Sequence, residues 1–350
     1  MDSTLVPEPQ TVTTPAKPKK SFLRKLGKFT LWLVAIIVIA EVGLRFFGYG
    51  SYTIYVPDQR LLWVPRPGHG VTEVNHLPIN ISADGFRYPE KLGPKAPGDL
   101  RIFTFGDSVT MGWGVSDQQT YSAQLEKLLR SDCTLNKVQV ISAGANAYPA
   151  GLAEERIKKV VEDGYQPDMV VMAYSFNIGF VEHMPELQGA ERGKFLQRVR
   201  VKSYIRRSAI YNFLIEDLLR ELVYYRLRNA MMKGSWTTEK EKTSVNVDRY
   251  RAGLEATRQF CLSKHIPLVL LLLPSENQGD EMHPYQKAML DFAAQNNVPL
   301  VNAMQTFRTK DQNGLFLDHV HPTAAGHVLL AEDLAKTIEG SPAYAASCRK

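Results

Sequence analysis

The sequence predicts an α/β fold, a parallel sheet covered by helices on both faces, and three observations predict it. Short β-branched or aliphatic runs recur after Gly98, at Ile102–Phe105, Val138–Ser142, Met169–Ala173, Leu268–Leu273 and Val298–Val301. Helical periods alternate with them, at Tyr121–Leu129, Leu152–Val161, Val201–Met232, Tyr250–Lys264, Pro284–Gln295 and Thr323–Ile338; that alternation is the mark of βαβ units. The unbroken apolar run Leu268–Leu273, closed by Pro274, suits a central strand buried on both faces. With 350 residues and 44% hydrophobic side chains the chain can bury a sizeable core, and no repeat of 20 to 50 residues is visible.

The elements ahead of that domain read differently. Residues 1–28 are rich in Pro, Thr, Ser and Lys and read as a basic, mobile tail that cannot bury enough surface to order itself. Phe29–Ala40 carries no charge, and if Glu41 is tolerated the apolar stretch runs on to Tyr49, so 29–49 reads as a single transmembrane helix. Glu41 and Arg45, four apart, are placed to pair on one helix face near the far interface. A cleaved signal peptide competes, with Val38-Ile39-Ala40 as cleavage site; Val42, Leu44, Phe46 and Phe47 continue the apolar pattern and favour the anchor. A buried soluble helix fits poorly with Lys17, Lys19, Lys20, Arg24, Lys25 and Lys28 on one flank. Those basic residues predict a cytoplasmic N-terminus and a main domain outside the cytoplasm, periplasmic or extracellular. Residues 50–98 are dense in Pro, Gly, Asn and aromatics, and read as an irregular membrane-proximal segment packed on the main domain, with one short strand near Gly70–Val74.

The net charge of +6 and pI near 9.0 are largely local. Besides the tail, the excess lies in Arg192, Lys194, Arg198, Arg200, Lys202, Arg206 and Arg207, and no nucleic-acid partner is expected. Cys133, Cys261 and Cys348 have no metal-ligand spacing and allow three pairings, so they leave the redox compartment open.

Chemistry enters where the first main-domain strand ends in Gly106-Asp107-Ser108. Such a tripeptide alone is an ordinary turn, yet at a strand end it lifts Ser108 to the edge where open α/β sheets bind ligands. A serine hydroxyl needs a base, and the base needs a group to orient it. Among the eight histidines, His321 stands out: it follows Asp318 by three residues, in the loop before the last helix. A capping Asp and a surface His are the bland alternative. His319 ranks second, because adjacent side chains usually point apart.

Together, Gly106-Asp107-Ser108 and Asp318-x-x-His321 in one α/β frame resemble the SGNH, or GDSL, hydrolase family, over Arg101 to Ile338. The resemblance implies a three-layer, flavodoxin-like fold with a five-stranded parallel sheet, here spanning 99–342. It makes Ser108 the nucleophile and identifies Gly144, in Val140-Ile141-Ser142-Ala143-Gly144, with the family's second-block glycine. It also identifies Asn177, in Tyr174-Ser175-Phe176-Asn177-Ile178, with the third-block asparagine, although Ser175 and Ile178 replace the usual flanking Gly and Asp. The N–H groups of Ser108 and Gly144 and the Asn177 amide would then form an oxyanion hole, each donor worth about 3 kcal/mol. The α/β-hydrolase elbow G-x-S-x-G fits less well, since Thr110 stands where its second Gly belongs.

The expected activity is that of a membrane-anchored serine esterase acting on an acylated small molecule, lipid or saccharide through an acyl-Ser108 intermediate. An O-acyltransferase of cell-surface polysaccharide would use the same residues, and a non-catalytic binding protein on the scaffold is the alternative from another class. No metal or nucleotide cofactor is implied, because neither a ligand cluster nor a phosphate-binding Gly loop is present in the sequence. The insertion 178–248 carries its own helical pattern. It reads as a lid over Ser108, as a membrane-docking element, or as a helical insertion with its apolar face on the core.

Overall fold

The structure, a computed structural model, describes residues 20–50, 52, 55–72, 75–132, 138–174, 184–224, 240–276, 282–310 and 314–348. Helix α1 (Lys20–Phe46) starts inside the segment expected to be a mobile tail. Extending a helix backward from an apolar run is far easier than nucleating one, and Phe22, Leu23, Arg24, Lys25 and Leu26 are compatible with it. The stretch Phe22–Phe46 is long and apolar enough to cross a membrane. Its apolar side chains are exposed throughout, Trp32 by 71% and Ile39 by 70%, which rules out a buried soluble helix. Arg45 Nε donates to Glu41 Oε1 at 2.9 Å, the pair that the four-residue spacing predicts.

The segment expected to be irregular holds two small antiparallel sheets. Strand β1 (Tyr55–Asp58) pairs with β2 (Leu62–Pro65), and β3 (Gly68–Val71) pairs with β4 (Pro78–Ile81). The single strand expected at Gly70–Val74 therefore lies earlier and has a partner; residues 73 and 74 fall outside the described residues. Strands of four residues are too short to display alternation. The Asp58 carboxylate closes the first turn by accepting the N–H groups of Arg60 and Leu61.

The five predicted apolar runs form one parallel sheet of β5 (Leu100–Gly106), β6 (Val138–Ser142), β7 (Met169–Tyr174), β8 (Leu268–Leu272) and β9 (Leu300–Asn302). The order is β6-β5-β7-β8-β9, the 2-1-3-4-5 arrangement of flavodoxin-like folds. All residues of β5 to β8 are buried, hence their near-continuous apolar sequences. Strand β9 starts later than the predicted Val298, because the Val298 N–H is spent on Ala293 O of the preceding helix and Pro299 has none to give.

Helices fill both faces. After β5 come the short α2 (Ser108–Met111) and then α3 (Tyr121–Asp132), and after β6 comes α4 (Ala150–Glu162). Beyond β7 lie α5 (Gly189–Ile205) and α6 (Ala209–Tyr211), which continues with wider i→i+5 turns over Asn212–Tyr224. Then follow α7 (Lys240–Ser263), α8 (Pro284–Asn296), α9 (Ala303–Thr309), α10 (Ala324–Glu339) and α11 (Pro342–Cys348). One core layer joins Phe103, Phe105, Met172 and Leu270 to α4, α7 and α8. The other joins Ile102, Val171 and Leu271 to α3, α10 and α11.

The continuous helix expected over Val201–Met232 is interrupted at Arg206–Ser208. The Ser208 hydroxyl caps α6 by accepting the Tyr211 N–H at 3.2 Å, a role Ser favours. Residues 225–239 lie outside the described residues. At the other end of the chain, Cys348 is disulfide-bonded and Cys261 is free and buried; Cys133 falls outside the described residues.

His327 of α10 is wholly buried, stacks on Tyr121 and accepts the Tyr121 N–H on Nδ1 at 3.1 Å. Burial, reinforced by the charges of Arg87 and His321, lowers its pKa to about 3. A histidine held neutral in the fold contributes stability at pH values above its unfolded pKa near 6.5 and loses it as the pH falls toward 3. The shift corresponds to roughly 4–5 kcal/mol. Asn in place of His327 still offers an acceptor for Tyr121 N–H, so His327→Asn is expected to lose much of this acid sensitivity. Urea unfolding at pH 7 and pH 4 measures it, and equal pH dependence in the two proteins would acquit His327.

Candidate active site

Strand β5 delivers the site. At its last residue, Gly106, a Cβ would lie 2.3 Å from Ala173 O and 2.4 Å from Thr110 Oγ1, so only glycine lets the chain turn there. Asp107 then caps α2, its Oδ1 accepting the Val109 N–H at 2.9 Å, and Ser108 becomes the first helical residue. Asp107 is 1% exposed, and burial raises its carboxyl to about 6, opposed by the Val109 hydrogen bond and the charge of His321. The structure gives Asp107 the turn role its position predicts.

Ser108 Oγ lies 2.8 Å from His321 Nε2, across 213 residues of sequence. On the far side of the ring, His321 Nδ1 is 2.9 Å from Asp318 Oδ2 and 3.0 Å from Oδ1. Ionised Asp only accepts, so Nδ1 carries the proton and Nε2 is left to accept the serine hydroxyl. Asp318 also accepts the N–H groups of Val320 and His321, both at 2.9 Å, a closed turn that fixes carboxylate and imidazole as one unit. Burial works against ionisation of Asp318, but the hydrogen bond and charge of His321 and those two backbone donors outweigh it, holding the carboxyl well below the usual range. His319 Nδ1 lies 4.0 Å from Asp318; of the two histidines, His321 is the one that reaches Ser108.

Gly144 follows β6 directly beneath α2. A Cβ there would lie 2.6 Å from Met111 N and 2.7 Å from Thr110 Cβ, so the close approach of the two segments requires glycine. Among the described residues, neither the Ser108 N–H nor the Gly144 N–H has a hydrogen-bond acceptor. Asn177 lies outside the described residues. Among the described residues no group of His, Cys, Asp and Glu could hold a metal ion.

Two further residues shape the site, and no sequence motif marks either of them. Trp113 lies against the imidazole of His321, ring centroids 4.2 Å apart at 35°. The loop bearing it is gripped by Arg87, whose guanidinium donates to Met111 O at 2.7 Å, Gly112 O at 2.6 Å, Val115 O at 2.7 Å and Asp117 Oδ1 at 2.9 Å. Its side chain is 2% exposed. Burial pulls the Arg87 pKa down and the Asp117 charge opposes it. The segment before the main domain thus supplies the clamp of the loop beside Ser108.

No match was found among curated proteins. Solved structures similar in fold include a catalytic mutant of the acetylxylan esterase Axe2 from Geobacillus stearothermophilus, at 16% identity and TM-score 0.42, covering 71% of this chain and 96% of that one. A member of the lipolytic G-D-S-L family from Veillonella parvula has 12% identity and TM-score 0.41 over 69% and 100%. The esterase EstA from Pseudoalteromonas sp. has 14% and 0.40 over 69% and 97%. Those likenesses are distant, whereas the sequence itself matches the GDSL-like Lipase/Acylhydrolase family over residues 104–329. That match takes in Ser108, Gly144 and His321 and spans well over half of the chain, which therefore belongs to the GDSL-like lipase/acylhydrolase family.

Proposed function

We propose that this hydrolase cleaves an O-acyl ester through an acyl-Ser108 intermediate while anchored in a membrane by α1. The observation that carries the reading is the relay itself: Ser108 Oγ, His321 and Asp318 joined by contacts of 2.8 and 2.9 Å. His321 Nε2 takes the hydroxyl proton as Oγ bonds to the ester carbonyl carbon. The same proton goes to the departing alkoxide as the C–O bond breaks, and the acyl group stays on Ser108. Water, deprotonated in turn by His321, releases the acid. Asp318 orients the ring and stabilises the imidazolium. The N–H groups of Ser108 and Gly144, and the Asn177 amide, receive the oxyanion.

The anchor reading is supported by the exposed apolar length of α1 and by the basic residues ahead of it, which favour a cytoplasmic N-terminus. The disulfide at Cys348 supports an oxidising location for the main domain, outside the cytoplasm.

A fluorophosphonate probe tests the mechanism. It is expected to label the wild type on Ser108, and labelling elsewhere or none at all would sink the acyl-enzyme. Product analysis with p-nitrophenyl acetate, with and without an acceptor saccharide, separates hydrolysis from transfer: acylated sugar would move the assignment to an O-acyltransferase. Gly144→Ala is expected to lower hydrolysis by about 100-fold and stability by about 1–3 kcal/mol, read by ester turnover and thermal melting. Wild-type values in both would remove Gly144 from the site.

A further inference from the structure

Glu41, near the end of α1, accepts the N–H groups of Ala209 at 2.9 Å and Ile210 at 3.1 Å and the Ser208 hydroxyl at 3.0 Å. Its neighbour Arg45 donates to Arg207 O at 2.6 Å. Farther along, the rings of Tyr49 and Phe213 meet edge to face at 5.3 Å, and Tyr52 Oη donates to Asp217 Oδ2 at 2.6 Å. These contacts pin one side of 208–217 to the chain as it leaves α1. Leu214, Ile215, Leu218 and Leu219 lie off that pinned side, each 40–46% exposed. Four large apolar residues exposed together on one short helix are more than scattered surface apolars.

The level at which this helix starts decides what covers that face. Counted from Phe29, the uncharged run of α1 ends at Ala40 and rises only about 18 Å at 1.5 Å per residue. The hydrocarbon core of a bilayer is about 30 Å thick. If the basic residues up to Lys28 mark the inner interface, Glu41 and the α6 start fastened to it lie about 12 Å short of the outer boundary, within the outer half of the hydrocarbon, where the apolar face would meet lipid.

We infer that the apolar face Leu214, Ile215, Leu218 and Leu219 lies in the outer leaflet of the bilayer crossed by α1, as an amphipathic helix that fixes how the domain sits on the membrane. The inference rests on the anchor reading of α1. It takes up the membrane-docking role of the insertion, but through its apolar residues instead of its basic ones. It also bears on the active site. The rings of Tyr49 and His76 are 5.8 Å apart, Asn75 Nδ2 donates to Gly114 O at 3.2 Å, and Trp113 lies against His321. A short series of contacts thus links the exit of α1 to the loop beside Ser108.

The test places single nitroxide labels on the full chain in phosphatidylethanolamine–phosphatidylglycerol vesicles and compares collision with oxygen and with an aqueous nickel chelate. Ile215→Cys and Leu218→Cys carry the labels of interest, Ile36→Cys reports the span, and Arg198→Cys on exposed α5 reports water. The expected oxygen-to-nickel ratio at 215 and 218 is several-fold above that at 198. A ratio equal to that at 198, with 36 still in lipid, overturns the inference and leaves the anchor standing. An aqueous reading at 36 overturns both. Spin–spin broadening at 218 shows a second copy on the face and also overturns the inference. Hydrolysis of p-nitrophenyl acetate by the same labelled proteins is read separately, so failure of the esterase reading is seen independently of where the helix lies.

Discussion

Ser108→Ala is expected to lower ester hydrolysis by about 10⁴-fold or more, to the level that oxyanion donors and binding alone sustain. Ser108 is 8% exposed at the end of β5, with its Oγ 2.8 Å from His321 Nε2. Loss of the oxygen removes the bond-forming atom and leaves α2, capped by Asp107, in place. His321→Ala should match that loss, and the double variant should be no worse than either, because groups acting as a unit are not additive. Turnover of p-nitrophenyl acetate by the three variants measures this. Independent, multiplying losses would mean that the two residues do not work through one acyl-enzyme.

Arg87→Ala is expected to destabilise the fold by about 3–5 kcal/mol, the range for removing one partner of a buried ion pair. Three backbone carbonyls and one carboxylate oxygen depend on that guanidinium, and each left unpaired in the interior carries a desolvation penalty. Lysine should restore only part of the loss, since a single ammonium cannot reproduce the planar fork that spans Met111 O, Val115 O and Asp117. Urea unfolding measures the stability change, and a ΔΔG below about 1 kcal/mol, the level of an exposed pair, would show that the clamp is dispensable. Activity should fall too, because the released loop holds Trp113 against His321.

Features readable in the sequence were those decided locally. Strands β5 to β8 are buried on both faces, so their sequences are apolar without interruption. Asp318 and His321 stand three residues apart, and that spacing alone closes the turn that joins them. Features decided by distant partners were hidden. The partners of Arg87 lie at 111–117, and nothing beside Arg87 hints at them. The break at Arg206–Ser208 is fixed in part by Glu41, some 167 residues earlier. Strands β1 to β4 have four residues each and sit among Pro and Gly that read as loop. The disulfide at Cys348 needed tertiary proximity that spacing does not encode.

The separation of 213 residues between Ser108 and His321 has a consequence for biogenesis. A chain synthesised from its N-terminus presents its nucleophile long before its base. Until the loop bearing His321 has been made and folded back against the end of β5, Ser108 is an ordinary alcohol. The site is therefore incomplete throughout synthesis, and the nucleophile is switched on only by the folding step that brings the C-terminal loop to it.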